Sequence, residues 1–331
     1  MKSSNATASA FGWQFQSNAA IMLMLKNIER ASKVKVEGQT EDIEITFSDG
    51  QMLMAQAKAV YDPYNDFSHA KEKLDAGLRT LSNAANIPAV EQLIFVTNSP
   101  NPFNDAIALS KFSSPLNMAH FSELPASCQK IIRDICASKG YDFDLGLLTI
   151  CVMQFHGENE DERYKVLTAL TMEFLNRLGA HRIPTADLLT LWQHSFTVNS
   201  SQLTTSITKK GMVWPVIAIL CEVRENDESL EDYDESEVDE ILRRYKSVIN
   251  NNSERFEFVS RVLSDFIEFH PGMKYRERSR KFIDECWKNF MDTIDLKGAD
   301  PNTEEMVIRL ALANVLKSNK LITEIKGKVK L

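Results

Sequence analysis

Glycine is scarce in this chain, with 12 in 331 residues, and none sits in a Walker A loop or a G-x-S-x-G elbow. Without glycine loops to cradle phosphates there is no case for an NTPase, and without the elbow none for a serine esterase. The five cysteines (Cys128, Cys136, Cys151, Cys221, Cys286) are odd in number and never form C-x-x-C. That set predicts a reducing cytosol and argues against a structural zinc. The six histidines are scattered, and His181 and His194 are not at a ligand spacing, so none is assigned to a metal. No apolar run reaches transmembrane length, and Met1–Ala10 lacks an apolar signal core. The expectation is a cytoplasmic protein without a membrane partner. A strong basic stripe is lacking too: the net charge is −8. Residues 221–240 hold eleven acids against Arg224, so the rest of the chain sums to +2 and the acidity is local. Nucleic acid is not excluded, but affinity would draw on several copies of the chain or on a partner that presents the substrate.

What is present centres on Val34–Ala59, VKVEGQTEDIEITFSDGQMLMAQAKA. It reads as three short strands carrying Glu37, Asp42, Gln56 and Lys58. Asp49-Gly50 is a hairpin signal. A tight hairpin there brings Asp42 or Ile43 opposite Lys58 or Ala57, while Gln56 and Lys58, two apart on a strand, share a face. Phosphodiester hydrolysis requires a hard cation, an activated water and neutralisation of developing charge. Asp42 and Glu37 are candidate Mg²⁺ (or Mn²⁺) carboxylates, Gln56 offers an amide oxygen, and Lys58 can serve the water or the scissile phosphate. Asp42, Gln56 and Lys58 are thus the catalytic candidates, with Glu37, Asp42 and Gln56 for the metal.

Around this stretch the periodicity predicts a helix over 11–31, in which Gln16 is a possible auxiliary near the metal. A second helix is expected from about Phe67 to Ala85, with Ala70, Leu74, Leu78 and Leu81 on one stripe. Lys71, Lys73 and Arg79 lie off that stripe as possible DNA contacts. Val90–Thr97 reads as a strand buried on both faces, parallel to its predecessor across the helical crossover. Residues 98–115 read as loops, 126–138 as a helix, and 146–155 as a further strand of the sheet, set at its edge. The polar run GENEDER marks a boundary, giving domains 1–157 and 158–331. The second is mainly helical. Its 211–223 run is either a strand or a buried helix starting at Trp214 with Pro215 in the first turn. An acidic loop is expected at 224–237, helices at 236–250, 253–268, 275–294 and 303–319, and a basic tail at 317–330. Phe256, Phe266, Phe269, Phe282, Trp287 and Phe290 read as core.

The motifs G-W-Q-F-Q (12–16), V-E-G-Q-T-E-D-I (36–43), Q-A-K (56–58) and I-F-V-T-N (94–98) together resemble the PD-(D/E)XK superfamily. Within it they resemble the double-stranded DNA endonuclease domain of CD-NTase-associated effectors, used also as the nuclease subunit of Lamassu-type anti-phage systems. The resemblance covers roughly the first half of the chain. It implies a restriction-endonuclease-like α/β fold, an α-β-β-β-α-β core with a mixed sheet, followed by a mainly α-helical C-terminal domain. It also implies a Mg²⁺-dependent endonuclease acting on double-stranded DNA. The expected setting is a homo-oligomer, with an SMC-like sensor or ATPase subunit docked on the C-terminal half. Gln56 departs from the usual Asp or Glu, a variant also found in Mrr-like members. Two other readings fit the same residues: an inactive nuclease-fold scaffold, motivated by Gln56, and an RNA-cleaving nuclease.

Overall fold

The computed structural model describes residues 3–38, 40–202, 204–222, 235–294, 296 and 298–331. The chain forms two compact units, one of Met1–Leu175 with Pro184–Met212 and one of Asn176–Ile183 with Val213–Leu331. This division does not coincide with the expected break at 157. Residues beyond 157 return to the first unit because they pack on its first helix and extend its sheet.

The first unit opens with α1 (Ser3–Lys26), β1 (Ala31–Val36), β2 (Ile43–Phe47), β3 (Met52–Lys58), α2 (Phe67–Ala84) and β4 (Val90–Thr97). This is the expected α-β-β-β-α-β order. It continues through α3 (Ala106–Lys111), β5 (Leu116–His120), α4 (Ala126–Lys139), β6 (Leu148–Met153), α5 (Glu160–Arg163), α6 (Lys165–Leu178), α7 (Thr185–Ser200) and β7 (Ile207–Thr208). Among the described residues one mixed sheet has the order β5-β6-β4-β3-β2-β1-β7. β3, β4 and β6 are parallel, and the outer pairs are antiparallel.

The core lies on both sides of this sheet. Alternation along β3 sends Met54 to the face covered by Leu74, Leu78 and Leu81 of α2 and by Cys128, Ile132 and Cys136 of α4. Leu53 and Ala55, of opposite parity, are buried with Ile43 and Ile45 of β2, and α1 packs against β1, β2 and β3. α7 packs on α1 in turn. Asn199, near its end, accepts a 3.0 Å hydrogen bond from the Val36 amide, and the buried Lys35 ammonium donates to the carbonyls of Asn199 and Gln202.

Three expectations are corrected here. The strand at 146–155 is not an edge: β6 lies between β4 and β5. The expected loops at 98–115 contain the short α3, and β5 follows in a stretch without a strand signal, since LNMAH lacks β-branched residues and buries only Ala119. Ile207–Thr208 pairs with β1 in a stretch to which the local pattern assigns no element. The 11–31 helix instead spans Ser3–Lys26.

In the second unit Pro215 stands inside α8 (Lys209–Leu220), which begins earlier than Trp214. Proline withholds one helical N–H, but the fully buried Val213, Val216 and Ile217 fix that segment regardless. α9 (Glu235–Ser253), α10 (Phe256–Glu268) and α11 (Tyr275–Cys286) follow. The basic tail is no tail: α12 runs Pro301–Val329, and Ile322, Ile325 and Val329 are buried along it. Phe266, Phe282, Trp287 and Phe290 are buried, as a core requires, while Phe256 and Phe269 are half-buried. Of the expected acidic loop, 224–234 lies outside the described residues, and 235–237 opens α9.

Gly77 of α2 faces Phe95 of β4 so closely that a Cβ would overlap the ring. Gly→Ala in an exposed helix interior stabilises by about 0.5–1 kcal/mol. At this position the sign reverses: Gly77→Ala is expected to destabilise by about 1–3 kcal/mol, read as a lower urea midpoint.

Candidate functional site

The hairpin register fixes the site. β2 and β3 pair Ile43 with Ala55, Ile45 with Leu53 and Thr46 with Met52. Gly50, at φ 86°, makes the turn. Asp42 therefore arrives at the C-terminal end of β3. One oxygen, Oδ2, accepts from the Ala57 amide at 3.0 Å and from Lys58 Nζ at 3.0 Å. The Asp42 and Lys58 side chains are 12% and 27% exposed, so the pair is shielded from solvent but reachable. Gln56, on the same face as Lys58, is buried, and its Oε1 has no hydrogen-bond partner.

The loop entering β2 is tightly tied. The Glu37 amide donates to the Asp42 carbonyl at 2.8 Å and the Gly38 amide to the Glu41 carbonyl at 3.0 Å. Oε1 of Glu44 accepts from the amides of Thr40 and Glu41. A Cβ at Gly38 would meet the end of the Glu44 side chain and push its carboxylate away from these amides. Glu37 takes a left-handed φ of 52°, unusual for a residue with a side chain. Burial pushes the Glu37 carboxyl up, helped by the Asp42 charge and opposed by the Gln16 amide and by the cations of Lys58 and Lys35. Gln16 is therefore brought to Glu37 from α1.

Glu41 is the residue that the sequence pattern does not single out. It is 3% exposed, and neither carboxylate oxygen has a hydrogen-bond partner. Burial pushes it up to about 7; Asp42 and Glu44 add to the shift, and the Gln56 amide and Lys58 oppose it. Its one sequence signal is its place beside Asp42.

The strand ends behind the site are held by Asn98, just past β4. Its Oδ1 accepts from the Val60 amide at 2.7 Å, and its Nδ2 donates to the carbonyls of Val60 (2.8 Å) and Phe155 (2.9 Å). Three chain segments leaving β3, β4 and β6 are thereby joined by one buried side chain.

α2 starts beyond the C-terminal end of β3, capped by Asp66, which accepts from the His69 amide. A helix linking parallel strands runs back along them, so Lys71 (exposed) and Lys73 (half-buried) stay near the site end. Arg79 lies about 18 Å from the helix start at 1.5 Å per residue. The structure does not bring Arg79 to the site. Four residues before it, at Asp75, the helix is already level with Tyr141, whose hydroxyl donates to Asp75 at 3.1 Å ahead of β6.

Among the described residues no three His, Cys, Asp or Glu side chains gather where they could hold a metal ion. Glu37, Glu41 and Asp42 thus do not form a three-carboxylate cage. The available donors are all hard oxygens: one or two carboxylates and the Gln56 amide. Mg²⁺ needs only one or two carboxylates, the rest coming from water and substrate, so the set fits such a cation. Among the described residues no helix is long and apolar enough to cross a membrane.

No protein-family model matches the chain, and no curated protein matches it. Among solved structures it is similar to the Acinetobacter baumannii Cap4 SAVED/CARF-domain containing receptor, solved with the cyclic trinucleotide 3'3'3'-cAAA. The identity is 13% and the TM-score 0.37, over 73% of this chain and 58% of that one. The Moraxella osloensis Cap4 SAVED/CARF-domain containing receptor is similar at 15% identity and TM-score 0.35, over 76% of this chain and 61% of that one. The chain thus spans less than two thirds of either protein, and at these values the likeness assigns neither fold nor function.

Glu41 sets a pH dependence. Between its ordinary 4.5 and its folded value of about 7, the folded protein keeps a proton that the unfolded chain has released. Stability therefore falls as pH rises through that window. Glu41→Gln is expected to abolish about 2–3 kcal/mol of this fall, measured by urea unfolding at stepped pH with a chelator present. Glu37, raised in the same sense, leaves a smaller residual slope. An unchanged slope contradicts the assignment.

Proposed function

We propose that the chain is a metal-dependent endonuclease hydrolysing double-stranded DNA. The observation that carries this reading is the Asp42–Lys58 pair at 3.0 Å, set beside a buried Gln56 oxygen that has no partner. A carboxylate, an amide oxygen and a lysine on adjoining strand ends are the groups phosphodiester hydrolysis requires. Asp42 and Gln56 would hold a divalent cation, with one further carboxylate; Glu37 is the one the sequence nominates. When bound, that cation supplies Lewis-acid polarisation of a phosphoryl oxygen and acidifies a water. Lys58 is held in one direction by Asp42 and is still exposed on its outer side, so its ammonium can meet charge developing on a phosphate. Asp42 is itself held by the Ala57 amide, which keeps the two side chains in register with β3.

The setting we propose is an effector subunit of a multi-protein bacterial anti-phage system. In that setting a sensor or ATPase of SMC-like type docks on the helical half of a homo-oligomer. This part of the reading rests on the sequence resemblance. A second reading, an inactive nuclease-fold scaffold, is favoured by the neutral Gln56 and by the lack of a three-carboxylate group among the described residues.

Plasmid cleavage in Mg²⁺, with and without neighbouring gene products, tests the proposal. Lys58→Ala is expected to slow cutting by about 100-fold or more. Cutting at the wild-type rate by the variant sinks the role of Lys58. Cleavage of RNA in place of DNA would change the substrate, and no cutting under any condition would favour the scaffold.

A further inference from the structure

We infer that Glu41, not Glu37, is the second carboxylate of the cation site, acting with Asp42 and the Gln56 amide oxygen. The inference rests on the reading of this site as a metal centre. Glu41 and Gln56 are each 3% exposed, and Oε1 and Oε2 of Glu41 and Oε1 of Gln56 have no hydrogen-bond partner. Buried polar oxygens are ordinarily paired, and an unpaired buried carboxylate is far more costly than an unpaired amide. Here three such acceptor oxygens lie beside a further acid, Asp42, whose charge acts on Glu41 directly. The nearby cation, Lys58, donates to Asp42. What the cluster wants is positive charge, and with oxygen donors alone it suits a hard divalent ion.

Glu37 is differently placed. The Gln16 amide and the Lys35 ammonium act on it, and it is only half-buried, so its carboxylate is not shut away from water without a hydrogen bond as that of Glu41 is. The backbone of Glu41 is also fixed at both ends: its amide donates to Glu44 and its carbonyl accepts from Gly38. A carboxylate on a fixed backbone is positioned before any ion arrives, as a ligand should be.

Mn²⁺ binding to the full chain, stripped with chelator and followed by titration calorimetry and electron paramagnetic resonance, tests the assignment. Wild type, Glu41→Gln and Glu37→Gln are compared, each checked for folding by circular dichroism. Glu41→Gln keeps the side-chain volume and removes an unpaired buried charge, so it is expected to fold. Its Mn²⁺ affinity should fall by about 10- to 100-fold or more, and that of Glu37→Gln by less. In thermal melts Mn²⁺ should raise the midpoint of wild type and not that of Glu41→Gln. Wild-type protein that binds no Mn²⁺ overturns the metal centre itself, and the inference with it. Wild type that binds while Glu41→Gln binds equally well overturns this assignment alone. A larger loss in Glu37→Gln than in Glu41→Gln returns the ligand role to Glu37.

Discussion

The site depends on one carboxylate oxygen. Asp42 Oδ2 takes both the Ala57 amide and the Lys58 ammonium, each at 3.0 Å. It can do so because the hairpin register places Asp42 across from the end of β3. A one-residue slip would send Gln56 and Lys58 to the opposite face. The register is held by the Asp49-Gly50 turn and by the burial of Ile43 and Ile45. Hydrophobic patterning on one face of the hairpin thus sets the chemistry on the other.

A second constraint is the loop from Glu37 to Asp42. It spends its backbone amides on its own carbonyls and on Glu44, whose carboxylate closes over Gly38. The outcome is a pair of adjacent acids, Glu41 and Asp42, with opposite fates. Asp42 is satisfied by an amide and an ammonium. Glu41 is buried with both oxygens unpaired. Charge repulsion between them and burial of Glu41 both act against folding, so the arrangement reads as one maintained for use. Asn98 supports it from behind by joining the segments that leave the three parallel strands.

Much of this was legible in the sequence. The α2 stripe, the apolar run of β4 and the Asp-Gly turn each carry a strong local signal, and together they define the α-β-β-β-α-β order. Counting across the turn sets Asp42 or Ile43 opposite Lys58 or Ala57; the observed register is two residues shorter, with Ile43 opposite Ala55, and the Asp42 side chain reaches on to the Ala57 amide and Lys58. Where the reading departs from the structure, the local signal was weak or the contact distant in sequence. β5 buries a single alanine. β7 is two residues long and is defined by pairing with β1, which lies far back in the chain. α7 is held in the first unit by α1 and by Lys35 and Asn199, contacts that no local pattern announces. Arg79 shares its charge with Lys71 and Lys73 but lies about 18 Å along α2 from the helix start, a separation that a list of charges does not convey. Apart from its place beside Asp42, nothing local marks Glu41, because unpaired burial belongs to the packed state and has no signature in sequence.

The most direct measurement is anomalous diffraction from a crystal grown or soaked with Mn²⁺. The account predicts a peak at the C-terminal end of β3, within bonding distance of Asp42, Glu41 and the Gln56 amide oxygen. A peak elsewhere, or an ordered site without one at saturating Mn²⁺, would contradict it.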